Sequence, residues 1–449
     1  MNISENEFRD YLFEHHKNDL AKIIVGKRNA PQWTDESFPP IHFLLQKRAE
    51  EKINNILDDL DQLVITSKEL RLSRGADSVT RIDLFGHSES SGIAILELKK
   101  SGQTERQAFT ELLAYSNHFC SLFPGLKETA VTLVLIAPME GRTVRDAYVQ
   151  ELVANNKNII ALIPREDSSG KFTLEVFYPD ATYYRWFENN LLDDRSMLTV
   201  AVSFPIIEGW IDSDINSDQR IPDYSKNALN TISSAISHKL EANGFHSLTY
   251  AAQQWGEIAT QFPYPNTIYV VIVNPFASFK TSVDAEGNVY GDSHEGRLHD
   301  IQAIHEQLSE NNRDYWIDIL ESNFHGRVIK LVEDEFTSCF ANSEGQEIER
   351  EISTPDWYGL KTSVINAVCV HNLDINLTGL LREIYAEYMQ YAYTKNDGEC
   401  IYYGDDMPMF LYKSLRPFLP VWEILCGLGF GESENEDECD EEDDIEEED

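Results

Sequence analysis

The chain has 449 residues, 42% hydrophobic and 25% charged, a globular balance that excludes a fibrous or wholly disordered polymer. That length exceeds one ordinary hydrophobic core, so two or three domains are expected. With 37 Lys and Arg against 77 Asp and Glu, the formal charge of −40 excludes nucleic-acid binding over most of the surface.

No apolar run reaches membrane-spanning length, and MNISENEFRD lacks the build of a signal peptide. Six scattered cysteines without a CxxC pair read as reduced thiols of a cytoplasmic protein.

In chain order, residues 3–24 read as an amphipathic helix, with Phe8, Leu12, Leu20 and Ile24 at roughly helical spacing and Ser4 as the N-cap. A loop follows, then a second helix over 41–60 that carries Glu50 and Glu51. Residues 63–72 form the first strand of a meander. The runs 79–85 and 93–99 are apolar and β-branched, and HSESSG between them has turn chemistry, which predicts a hairpin. Centred near Ser90, it sets Asp83 opposite Glu97 and Phe85 opposite Ile95, with Glu97 and Lys99 on one face. The second strand is apolar on both sides, as a covered central strand is. The apolar runs at 131–138 and 158–164 flank a helix over 144–153, which points to a mixed α/β sheet, and a last strand near 172–178 closes the domain.

Two carboxylates and an ammonium on a covered strand are costly to desolvate unless something compensates them. A hard divalent cation, magnesium or manganese, held by Asp83 and Glu97 beside Lys99 would do so, and such an ion supports phosphodiester chemistry. Charge agrees with that placement. Residues 1–171 hold 21 Lys and Arg against 25 Asp and Glu, and Arg71, Arg74, Arg81, Lys100 and Arg106 surround the motif as candidate phosphate contacts.

RIDLFG, then IAILELKK, then a helix with RQAFTELLAYSNHF resembles the PD-(D/E)xK phosphodiesterase superfamily, and within it the RecB-like and NucS-like branches. The resemblance spans roughly residues 1 to 165. It implies the restriction-endonuclease-like fold, an αβββαβ mixed-sheet core, and a Mg²⁺- or Mn²⁺-dependent nuclease, DNA endonuclease first, in a restriction, repair or phage-defence role. It implies that Asp83, Glu97 and the Leu98 carbonyl ligate the metal and that Lys99 is the catalytic lysine. The family's helix motif puts glutamine at 111, where this chain has Glu111. Gln107 lies one turn earlier and Tyr115 one turn later, on the same helical face, so Gln107 or Glu111 fills that role. A helix acid can supply a further ligand, and Glu51 is the candidate.

Beyond about 180 no family is legible. The pattern predicts an α+β domain over 180–350: strands at 197–204, 267–274 and 326–334, helices at 224–242 and 298–320, and a hairpin at 278–291. A mostly helical region over 351–431 follows, and a disordered tail over 432–449 has fourteen acids and no base. This acidic carboxy-terminal region is a candidate surface for a protein partner or for self-association. His294, His299 and His305 fit no zinc spacing and read as ordinary histidines. TYYRWF (182–187) reads as packing at a domain boundary, and Tyr385 and Tyr388 as core or partner contacts. The alternatives to a nuclease are an inactive nuclease-fold binding module and an acidic interaction protein.

Overall fold

Ser4 opens the first helix, α1 (Glu5–His16), with a reciprocal cap. The Glu7 N–H donates to Ser4 Oγ (3.2 Å) and the Ser4 N–H donates to Glu7 Oε2 (2.7 Å), so two otherwise orphaned donors are satisfied. The helix stops well short of residue 24. Asp19 takes His16 and Lys22 onto its carboxylate, and the chain passes through a 3₁₀ turn (Leu20–Ile23) into the two-residue strand β1 (Ile24–Val25). The computed structural model describes residues 3–34, 39–72, 81–89, 92–101, 105–123, 125–168, 170–191, 197–205, 223–253, 262–276, 297–313, 316–340, 348–355, 367 and 373–395. They divide into two units, 1–184 and 185–449.

In the first unit α2 (Ile41–Leu60) precedes the meander β2 (Val64–Arg71), β3 (Arg81–Ser88) and β4 (Gly92–Leu98). Then come α3 (Glu105–Leu122), β5 (Val131–Ile136), α4 (Arg142–Val149) with a π turn (Gln150–Ala154), β6 (Ile159–Glu166) and β7 (Phe172–Val176). Seven strands form one mixed sheet, ordered β1-β7-β6-β5-β4-β3-β2. β4, β5 and β6 are parallel, and the meander is antiparallel. β5 lies at the centre, and all six of its residues are buried.

The hairpin register is the expected one, with Phe85 opposite Ile95 and Leu84 opposite Leu96. Asp83 and Glu97 stand one step beyond the last bridged pair, where β3 and β4 begin to part. Gly86 sits against the β2 bulge between Ile65 and Ser67, and a Cβ there would lie 2.6 Å from the Val64 carbonyl oxygen. Only glycine fits this approach.

The division between the units falls within helix α5 (Ala181–Leu191), whose Tyr183, Tyr184 and Phe187 are buried. The second unit builds a five-stranded antiparallel sheet from β8 (Met197–Phe204), β9 (Ser247–Gln253), β10 (Asn266–Val273), β11 (Glu351–Ser353) and β12 (Ile375–Leu377), ordered β11-β8-β10-β9-β12. The two short edge strands, β11 and β12, come from the stretch expected to be mostly helical. Helix α6 (Asp223–Ala242) packs on β9 and ends at Gly244, which takes φ +78°. Helices α7 (Arg297–Gln307), α8 (Glu310–Arg313), α9 (Trp316–Phe340) and α10 (Gly379–Lys395) complete it.

Two further expectations are corrected. Residues 326–334 are helical, inside α9: Val328, Val332 and Phe336 recur every fourth residue and are the buried ones, a helical stripe that the β-branched composition disguised. The helix expected over 298–320 is broken into α7, α8 and the start of α9. The hairpin expected at 278–291 and the acidic tail lie outside the described residues. No helix among them is long and apolar enough to cross a membrane.

Candidate active site

Lys99 follows β4, and its ammonium draws in carboxylates from three directions. Lys99 Nζ lies 2.8 Å from Glu97 Oε1, 3.4 Å from Glu111 Oε2, 3.4 Å from Glu5 Oε1 and 4.0 Å from Asp83 Oδ2. The period of two puts Glu97 and Lys99 on one face of β4, β3 brings Asp83 beside them, α3 supplies Glu111, and α1 supplies Glu5. The Leu98 N–H donates to Asp83 Oδ2 (2.9 Å), so the end of β4 holds the Asp83 carboxylate by backbone as well as by charge.

Burial sets the electrostatics. The Glu97 side chain is 2% exposed, and no hydrogen-bond donor reaches its Oε2. Burial and then the Asp83 charge push Glu97 up to about 9, more than the Lys99 contact offsets. Burial also raises Asp83, although the Leu98 N–H, Lys99 and Arg9 pull the other way. Lys99 is held above its ordinary value: burial opposes its charge, but Glu97, Asp83 and Glu5 outweigh it. Burial pushes Glu111 up, yet hydrogen bonds with the Glu97 carboxyl, Gln107 and Lys99 hold it below its ordinary value. Four carboxylates thus face Lys99 and the buried Arg9, whose Nη1 lies 3.9 Å from Asp83 and 2.9 Å from Glu69. With all four ionised, their charge exceeds that of Lys99 and Arg9, and Arg9 is shared with Glu69, so negative charge stays uncompensated around the buried Glu97. That is the demand a divalent cation meets, and the donor set is the hard oxygen one that magnesium and manganese prefer.

The residues singled out by sequence distribute as follows. Asp83, Glu97, Lys99 and Glu111 converge, and Leu98 is buried, between Glu97 and Lys99 in the chain. Gln107 is exposed and donates to Glu111 Oε1 (2.8 Å), so it touches the site through Glu111. Tyr115 is buried, and its hydroxyl donates to the Arg81 carbonyl (2.8 Å), tying α3 to the start of β3. Glu51 pairs with Lys47 along the surface of α2, a helix that packs on β6 and its neighbouring turns, away from the β3–β4 pair.

The acid added to Glu111 by a second helix is Glu5, and Arg9 comes with it one turn later on the same face of α1. Sequence reading missed both, although a capped helix with Glu5 and Arg9 at i, i+4 was the available signal. Glu69, with a left-handed backbone (φ +51°), bonds both Arg9 and Arg81.

Among the basic candidates Arg81 pairs with Glu69 (3.3 Å) and stands directly opposite Arg71 in the β2–β3 register. Arg71, Lys100 and Arg106 are exposed. Arg74 lies outside the described residues.

Among the described residues no three His, Cys, Asp or Glu side chains are grouped as a ready metal cage. In the second unit His299 is exposed beside Gln302, and His305 Nδ1 accepts the Trp316 indole N–H (3.1 Å); His294 lies outside the described residues. Tyr385 lies on α10, and the side chain of Tyr388 lies outside the described residues.

Compared with known proteins, the chain matches no family model, no curated protein and no solved structure.

Proposed function

We propose that the first unit is a metal-dependent phosphodiesterase acting on nucleic acid, DNA in the first place, on a restriction-endonuclease-like plan. The observation that carries this reading is the buried Glu97 beside the half-buried Asp83, with Lys99 between them and Glu111. The run of α2, β2, β3, β4, α3 and β5 supports it as the αβββαβ order of that fold.

Asp83 and Glu97 would hold Mg²⁺ or Mn²⁺, with the Leu98 carbonyl, water and substrate oxygens completing the sphere, and the ion would neutralise phosphate charge and acidify a bound water. Lys99 keeps its proton in these surroundings, so it donates to a phosphoryl oxygen and offsets developing charge; it does not act as the base. Glu111 stays ionised at neutral pH and accepts a hydrogen bond from the attacking water, while Gln107 fixes Glu111. Arg71, Lys100 and Arg106 supply exposed cations for the flanking phosphates.

The acidic second unit and tail serve regulation, self-association or a protein partner. A second reading, a binding module that does not cut, draws on Lys99 being engaged by four carboxylates as in a closed structural network.

A cleavage panel of single-stranded, duplex and branched DNA and RNA with Mg²⁺, Mn²⁺ or EDTA separates the two. Metal-dependent cleavage that falls at least about a hundredfold in Asp83→Ala, Glu97→Ala and Lys99→Ala supports the enzyme. Binding without cleavage by the wild type under every metal supports the module.

A further inference from the structure

The face of α3 that begins at the site ends in an aromatic stack. Gln107, Glu111, Tyr115, Phe119 and Phe123 recur every fourth residue, so they form one stripe along the helix and its last turn. Phe119 lies parallel to Phe85 of β3 (centroids 5.4 Å apart, planes 10° apart), and Phe123 continues the stack (6.5 Å, 14°). Phe85 sits two residues from Asp83 and shares its face of the strand. The stack therefore runs from beside the carboxylates outward.

Its last ring is in water. Phe123 is 54% exposed, as is its neighbour Leu122, and Phe123 is the only exposed phenylalanine among the described residues. The backbone that carries it is held: the Phe123 N–H donates to the Phe119 carbonyl (3.1 Å), and the Leu126 N–H closes a turn onto the Phe123 carbonyl (2.9 Å).

A largely exposed planar ring at the end of a parallel stack suits another flat aromatic group. The cations around it indicate which one. Lys127, four residues on, is exposed and has no ion pair among the described residues. At the other end of the same path stand the exposed Arg71, Lys100 and Arg106. A flat base joined to a phosphate chain complements both features; an apolar protein segment complements the ring alone.

We propose that Phe123, backed by Phe119 and Phe85, is a stacking platform for an unpaired nucleobase, and that the substrate of this site is therefore single-stranded nucleic acid or the single-stranded arm of a junction. The proposal rests on the phosphodiesterase reading of the Asp83–Glu97–Lys99 site. Twelve residues of helix separate Glu111 from Phe123, about 18 Å. That spans roughly five nucleotides at B-form spacing and fewer in an extended strand. Bases inside a duplex have no free face and gain nothing there.

The test measures binding of short single-stranded and matched duplex oligonucleotides to the full chain in EDTA, beside cleavage by the wild type in Mg²⁺ or Mn²⁺. Phe123→Ala and Phe123→Leu should weaken single-strand binding about tenfold, in the range of one lost base–aromatic stack, while Phe123→Trp binds as the wild type does. Duplex binding should not change, and an oligonucleotide with abasic positions should bind the wild type and Phe123→Ala alike. Unchanged melting temperatures of the variants confirm that the exposed ring is not structural.

If Phe123→Leu binds like the wild type, the contact is apolar and the platform is overturned. It is overturned too if Phe123→Ala binds single strands like the wild type while the wild type still cuts, and the phosphodiesterase reading then survives alone. A wild type that neither binds nor cuts nucleic acid overturns both.

Discussion

Glu97 is the residue on which the site turns. Its folded-state titration near 9, against an ordinary 4.5, means that the folded chain binds the proton more tightly than the unfolded one does. The associated stability is complete below about pH 4.5 and is lost steadily as pH rises toward 9. Asp83, also raised, adds a loss of the same sign. Glutamine at 97 mimics the protonated acid and does not titrate. In EDTA, Glu97→Gln should therefore melt several degrees above the wild type near pH 8 and level with it near pH 4. Added Mg²⁺ should raise the wild type and leave the variant where it was. A wild-type melting temperature flat from pH 4 to 8 in EDTA would remove the argument.

The α3 carboxylate gives a second residue-scale test. Because Glu111 touches Lys99 at 3.4 Å and Gln107 reaches the site only by holding Glu111, Glu111→Ala should lower kcat about tenfold more than Gln107→Ala does. Equal and negligible losses would reduce α3 to a packing element on its polar end as well.

At the scale of elements, the hairpin was legible because two independent signals agree. The period of two assigns faces, and the turn residues fix the register, so Asp83, Glu97 and Lys99 fall together on sequence alone. Gly86 stands inside RIDLFG, but its reason was not legible there, since it lies in the close approach of β2 and not in β3 itself. Gly86→Ala should cost about 1–3 kcal/mol, because the new Cβ meets backbone at Val64, which cannot swing aside. Chemical denaturation measures it, and a loss below about 0.5 kcal/mol would show that the bulge yields.

The helix that contributes an acid escaped the sequence for a related reason. Periodicity marks which face of α1 and α2 is buried but not which strand lies beneath. Glu51 is therefore as good a candidate as Glu5 on sequence, yet α2 packs on β6 whereas α1 packs on β2 and β3. In α9 the β-branched run 326–334 imitates a strand locally, and only the four-residue spacing of Val328, Val332 and Phe336 reveals the helix.

On the scale of the whole molecule, charge divides the labour. The first 171 residues are nearly balanced, whereas residues 172–431 hold 16 Lys and Arg against 38 Asp and Glu, and the tail adds fourteen acids in eighteen residues. If the proposed nucleic-acid function holds, a polyanion covalently attached to a chain whose amino-terminal unit presents Arg71, Lys100, Arg106 and Lys127 would compete with nucleic acid for them. Such competition is electrostatic, so added salt weakens it. Deleting residues 432–449 should raise DNA affinity and cleavage, most clearly near about 50 mM salt, and the gain should shrink toward about 200 mM. The measurement is a salt titration of DNA binding by full-length and truncated chains. If the two curves coincide at every salt concentration, the tail serves solubility alone, and control of the site must be sought in the acidic second unit.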